Sequence, residues 1–240
     1  MKCVALYLKG PLQSWGVGAK FGIRPTMSYP SRSGVLGLIA AACGIDRTDD
    51  AWLERVSSLR ITARTYCTQT SDSRGNKSLR NSDGLRLYDY HTVGGGRDEA
   101  KKGSWTYRMN VAKAEGGVKT ELTTRDYLQD AAFGVVVSGD DVQPSQIDEI
   151  AVHLENPVWG IWLGRKCCIP TEPVLVGVYE SQDEAWTAIS KRAERSGRVA
   201  TMSLTEVSPG SSDVEDILMD DPISFARREF ATRAVSYPGV

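Results

Sequence analysis

The chain has 240 residues, with 29 Lys+Arg against 30 Asp+Glu, two His and five Cys. That length suits one large domain or two small ones, and 41% hydrophobic with 25% charged residues is ordinary for a globular protein. No apolar run approaches the roughly 18 residues of a membrane span. The opening MKCVALYLKG lacks a signal peptide's apolar core, and an odd set of cysteines without framework spacing fits a reducing cytoplasm.

Residues 2–9 set Cys3, Ala5 and Tyr7 on one side and Val4, Leu6 and Leu8 on the other, which predicts a central strand buried on both faces. Gly10-Pro11 ends it, and a loop over 12–16 follows. Pro30-Ser31-Arg32-Ser33-Gly34 opens a helix that runs to Cys43, with Gly44 as its C-cap. Gly37 lowers that helix's propensity by roughly 1 kcal/mol, and close approach of a neighbouring strand is the expected reason. A short helix over 48–57, capped by Thr48, buries Trp52, Leu53 and Val56.

Residues 59–67 alternate again, Leu59, Ile61 and Ala63 inward, Arg60, Thr62, Arg64 and Tyr66 outward. Two arginines and a tyrosine on one strand face suit nucleic acid; a salt-bridged surface is the alternative. The stretch 68–104 is rich in Gly, Ser and basic residues. With alternation over 85–90 and 105–111 it reads as a long hairpin, about 68–112, projecting from the body. Its tyrosines and Trp105, interleaved with Arg86 and Arg108, suit stacking and phosphate contacts; a hairpin with no partner is the plainer reading.

The body resumes with a strand over 131–137, a helix over 146–154, a Gly164 turn bearing Arg165 and Lys166, and a strand over 174–179. A helix over 182–195 and a strand over 198–207 follow. An acidic loop then leads to a last helix, with Asp221 as N-cap and Pro222 at N1, presenting Arg227, Arg228 and Arg233. Without the hairpin, the order to residue 175 is βαββαβ. The predicted class is α+β: a ferredoxin-like, RRM-like domain over 1–175, with its sheet face open to bases, and a small α/β region over 176–240.

Charge is unevenly placed. Residues 1–45 hold Lys2, Lys9, Lys20, Arg24 and Arg32 with no acid; residues 60–113 hold eleven Lys+Arg against five Asp+Glu; residues 200–223 hold six acids and no base. Such sorting predicts a basic face for a polyanion and an acidic face elsewhere, with a mosaic of solvated surfaces as the alternative. Cys167 and Cys168 have no second ligand pair for a metal. The Walker, dinucleotide and nucleophile-elbow patterns are missing from the sequence. His91 beside Tyr88 and Tyr90 offers general acid–base chemistry on RNA, but lacks a second partner.

Gly10-Pro11-Leu12-Gln13-Ser14-Trp15-Gly16 and Pro30-Ser31-Arg32-Ser33-Gly34-Val35-Leu36-Gly37-Leu38 resemble the CasD family of type I-E Cascade subunits, in the RAMP superfamily of CRISPR-associated proteins. Residues 124–130, Leu163-Gly164-Arg165-Lys166 and Asp221-Pro222 agree with that resemblance. It implies a ferredoxin-like domain whose β-hairpin thumb meets the backbone subunit CasC. The family's subunit neighbours the large subunit CasA, holds the 5′ handle of the crRNA, and meets target DNA only through the complex. Type I-C relatives cut RNA with a tyrosine, a lysine and a neighbouring histidine; this chain has no adjacent Lys–His pair.

The residues taken toward RNA are Gln13, Ser14 and Trp15 in the first loop and Lys20 and Arg24 beyond it. With them go Ser31, Arg32 and Ser33 at the helix N-terminus, then Arg64, Arg108, Arg125, Arg165 and Lys166. No cofactor, metal or membrane is expected. A metal-independent endoribonuclease and a protein–protein scaffold remain the alternatives to non-catalytic RNA binding.

Overall fold

The computed structural model describes residues 1–16, 18, 22–71, 77–80, 85–93, 121–139 and 143–240. Lys20, Arg108, the strand expected over 105–111 and most of the expected hairpin lie outside them.

In chain order the elements begin with β1 (Cys3–Lys9), the two-residue strands β2 (Leu12–Gln13), β3 (Trp15–Gly16), β4 (Ile23–Arg24) and β5 (Thr26–Met27), then α1 (Arg32–Cys43) and α2 (Asp50–Arg55). Next come β6 (Arg60–Ser71), β7 (Lys77–Arg80), β8 (Arg86–Val93), β9 (Glu121–Gln129), β10 (Ala132–Ser138) and α3 (Pro144–Glu155). The chain closes with β11 (Leu175–Tyr179), α4 (Gln182–Glu194), β12 (Arg198–Val207), β13 (Asp216–Ser224) and β14 (Glu229–Ser236).

Local chemistry sets the helix ends. Ser31 Oγ accepts the Gly34 amide at 3.1 Å, and Gly44, at φ 71°, closes α1 in the left-handed conformation that glycine adopts without strain. The cap of α2 is Asp49 rather than Thr48: Asp49 Oδ1 accepts the Trp52 amide at 2.9 Å, while the Thr48 hydroxyl donates to Asp46. Gln143 and Gln146 form a capping box ahead of α3, with Pro144 in its first turn.

The main sheet runs β11-β1-β10-β6-β12-β14-β13, with β7 on the far end of β6. Its four leading strands are antiparallel and ordered fourth, first, third, second along the βαββαβ core. The two sides of β1 face two cores. Val4, Leu6 and Leu8 join Val35, Ile39 and Ile147 beneath α1 and α3; Cys3, Ala5 and Tyr7 join Tyr66, Trp186 and Ile189 beneath α4.

Two expectations change here. The sheet face expected to lie open is covered by α4, because Ala185, Trp186, Ile189 and Ala193 form an apolar stripe that buries Tyr66. The outward face of β6 is therefore buried at Tyr66 and partly covered at Thr62 and Arg64, while Arg60 stays exposed. The expected last helix is instead the β13–β14 hairpin. Asp221-Pro222 imitates a helix start, yet β13 is the outer strand and its register shifts on both sides of the pair. A missing N–H costs little on such an edge. Through β12 this C-terminal segment continues the main sheet.

Candidate nucleic-acid interface

The N-terminal motif folds inward. Gln13 is fully buried; its Nε2 donates to Leu8 O at 3.1 Å and Ala131 O at 2.7 Å, and its Oε1 accepts Trp15 Nε1 at 3.1 Å. Ser14 Oγ donates to Asp126 O at 3.0 Å. The Trp15 ring lies against Gly34, where an added Cβ would sit 2.7 Å from it. Gly164, at φ 90°, leaves a Cβ only 1.8 Å from Ser14 O, so the Leu163–Lys166 turn closes directly onto this loop. Gln13 and Trp15 thus offer no free amide or ring face; they place the elements around them.

The N-terminus of α1, expected to meet a phosphate, holds the chain's own carboxylate. Asp220 Oδ2 accepts the Arg32 amide at 2.7 Å, and Arg233 donates to both Asp220 oxygens at 2.6 and 3.0 Å. The Arg32 guanidinium is buried as well. It donates to Asp221 Oδ1 at 2.6 Å, Ser57 O at 2.7 Å, Leu59 O and Glu206 Oε2 at 3.4 Å. Burial alone would lower the Arg233 pKa, and Asp220 with Glu206 and Asp221 more than offsets it. Part of the acid-free N-terminal block is therefore neutralised internally by the base-free segment near the C-terminus. Ser33, beyond this cluster, stays half-exposed.

Arg64 also turns inward: its guanidinium lies 4.2 Å from the Trp186 ring centre, and burial lowers its pKa. The other cations gather beside the 163–168 turn. Arg24 pairs with Arg125 across the parallel β4–β9 ladder, and Arg125 Nε donates to Thr123 Oγ1 at 3.2 Å. Arg165 donates to Arg24 O at 2.6 Å and Asp126 O at 3.0 Å while lying over Tyr127. Lys166 is exposed, its Nζ 5.5 Å from the Trp162 ring centre.

Next to this cluster a groove of about 860 Å³ runs along α1. Its floor includes Ser33, Gly37 and Ala41; Trp159, Trp162 and Phe225 line it, with Lys166 and Arg47. Among the described residues no carboxylate lines it. The sequence reading missed Arg47, Trp159, Trp162 and Phe225. The Trp159-Gly160-Ile161-Trp162 run was the available signal, but Phe225 arrives only through the C-terminal hairpin. Gly37 faces this groove instead of a strand.

His91 Nδ1 lies 3.3 Å from Asp89 Oδ2, and strand alternation puts both opposite Tyr88 and Tyr90 on β8. Burial pushes the Cys168 thiol up to about 12 and the Cys43 thiol up to about 11, so both are poor nucleophiles. Among the described residues no three metal-ligating side chains cluster, and no helix is long and apolar enough to cross a membrane.

The chain is thus a mixed α/β protein that sets a group of arginines beside an aromatic groove. The family described as CRISPR-associated protein (Cas_Cas5) matches residues 3–236. The Escherichia coli (strain K12) CRISPR system Cascade subunit CasD is 31% identical over 232 residues, covering 95% of this chain and 92% of that one. A solved CRISPR RNA-guided surveillance complex contains a chain similar to it, at TM-score 0.70 and 28% identity, covering 99% of this chain and 90% of that chain. A crystal structure of a Cas protein shares the fold at TM-score 0.61 and 23% identity, covering 99% and 94% of the two chains. The chain belongs to the Cas5 family of CRISPR-associated proteins.

Proposed function

We propose that this chain is a non-catalytic crRNA-binding subunit of a type I-E Cascade surveillance complex, capping the 5′ handle of the crRNA. The observation that carries the reading is the 31% identity to a Cascade subunit over 95% of the chain. The strand order β11-β1-β10-β6, with α1 beside α3, is read as a ferredoxin-like RAMP domain. The β8–β9 ladder is read as the stem of its thumb. CasC is the partner for the thumb and CasA the neighbouring large subunit; target DNA is met only through the assembly, in the cytoplasm.

The cations proposed to meet RNA are Arg24, Arg125, Arg165 and Lys166, with Lys20 and Arg108 beyond the described residues. Separation of His91 from Tyr88 and Tyr90 supports binding over cleavage. The test is made in EDTA. The purified chain, alone and with the backbone subunit, is incubated with 5′-labelled repeat RNA and run on native and denaturing gels. Intact RNA that shifts only when it carries the 5′ handle is the expected result. Discrete cleavage within the repeat would overturn the reading.

A further inference from the structure

We propose that the groove along α1 is a nucleotide subsite, in which one unpaired base of single-stranded RNA rests on Gly37 against Trp162 and Phe225. Its phosphate meets Lys166 and Arg47. The inference rests on the RNA-binding reading above and adds a place and a mode of recognition. Gly37 supplies the first argument. A mid-helix glycine lowers helix propensity, and tight packing is the usual compensation. Gly34 has that compensation in the Trp15 ring, but an added Cβ at Gly37 would meet nothing nearer than Phe225 Cζ at 3.9 Å. Packing therefore leaves room for alanine at Gly37. Its missing side chain instead deepens the groove floor.

Charge and shape choose the occupant. Among the described residues exposed Arg47 donates only to Phe225 O, at 3.4 Å, and Lys166 sits over an indole with no carboxylate paired to it. Two cations at an acid-free groove favour an anion. Three aromatic side chains beside them favour a planar group, and a base joined to its phosphate combines both. The Trp162 ring is held in place because it covers Gly160, where a Cβ would approach it to 2.8 Å. Among the described residues neither Asn nor Gln nor any carboxylate lines the groove, so stacking rather than edge reading would supply most of the hold on the base.

Fluorescence anisotropy with labelled, handle-bearing repeat RNA tests this on the full chain at fixed salt. Gly37→Leu fills the floor and Trp162→Ala removes a wall. Each should weaken binding about 5- to 150-fold, the range of one base–aromatic stack. Gly37→Leu should do so with its melting temperature held. An RNA series abasic at one handle nucleotide at a time should contain one position that gives the same loss and adds nothing to Trp162→Ala. Changing that base's identity should alter affinity by less than about threefold. Wild-type affinity in a folded Gly37→Leu variant overturns the subsite while leaving RNA binding standing. Normal RNA affinity with failed assembly onto the backbone or large subunit overturns it in favour of a protein segment. If wild type binds no RNA, the functional reading fails and the subsite with it.

Discussion

Arg32 joins the N-terminal helix to the C-terminal hairpin, 188 residues away from Asp220 in sequence. Its buried guanidinium and that of Arg233 share Asp220, Asp221 and Glu206, and each charge is tolerable only because the others are present. Asp220→Ala should cost about 3–5 kcal/mol, because it strands Arg233 and the first amide of α1. Exposed Asp213→Ala should stay within about 0.5 kcal/mol. Urea unfolding of the two variants measures the contrast, and equal midpoints would sink the assignment. The buried Cys168 and half-buried Cys43 thiols act on stability through pH. Cys43 and Cys168 remain protonated in the fold well above 9.0, their ordinary value, whereas an unfolded chain ionises them there. Their contribution is full below pH 9.0 and is lost as pH rises toward about 11 and 12. Urea midpoints should fall between about pH 9 and pH 11, and Cys168→Ala should flatten that fall. Sequence motifs named Gln13, Trp15 and Arg32 as special residues, but the partners that bury them lie at distant positions that no local pattern encodes.

At the level of elements, α1 carries two glycines with opposite roles. Gly34→Ala drives a methyl group to 2.7 Å from the Trp15 ring and 2.9 Å from Ser31 Oγ. It should destabilise the fold by about 1–3 kcal/mol, the usual result of overpacking. Gly37→Ala meets only an ordinary contact, so the propensity gain should raise stability by about 1 kcal/mol. Thermal melts of the two variants should shift in opposite directions; a loss at both would mean that the groove floor is packed after all. The same elements show what periodicity can reveal. β1, α1, α3, α4 and β12 were legible because apolar side chains recur every second residue or along one helix face over several turns. The two-residue strands β2 to β5 are too short to show a period. β13 was misread because Asp221-Pro222 has the chemistry of a helix start, and only the sheet edge gives it another use.

For the whole molecule, the charge sorting visible in the sequence has two destinations. One part is internal, as the acids near the C-terminus meet Arg32 and Arg233, and Arg64 lies beneath α4. The other part is the surface group of Arg24, Arg125, Arg165 and Lys166. The total basic count therefore overstates what an RNA backbone can meet, and salt dependence should reveal the smaller number. If each of those four and Arg47 neutralises one phosphate, the log–log slope of RNA affinity against salt is about −3.5 for single strands. Affinity should then fall about 130-fold between roughly 50 and 200 mM salt. Lys166→Gln should make the slope shallower by about 0.7. Lys2→Gln should leave it unchanged, because Lys2 is held by Asp148 at 2.6 Å on another part of the surface. A slope steeper than about −5 would place most phosphate contacts outside this group, with the basic residues of 94–120 as the source. That outcome would move the interface from the 163–168 turn to the 94–120 stretch of the sequence.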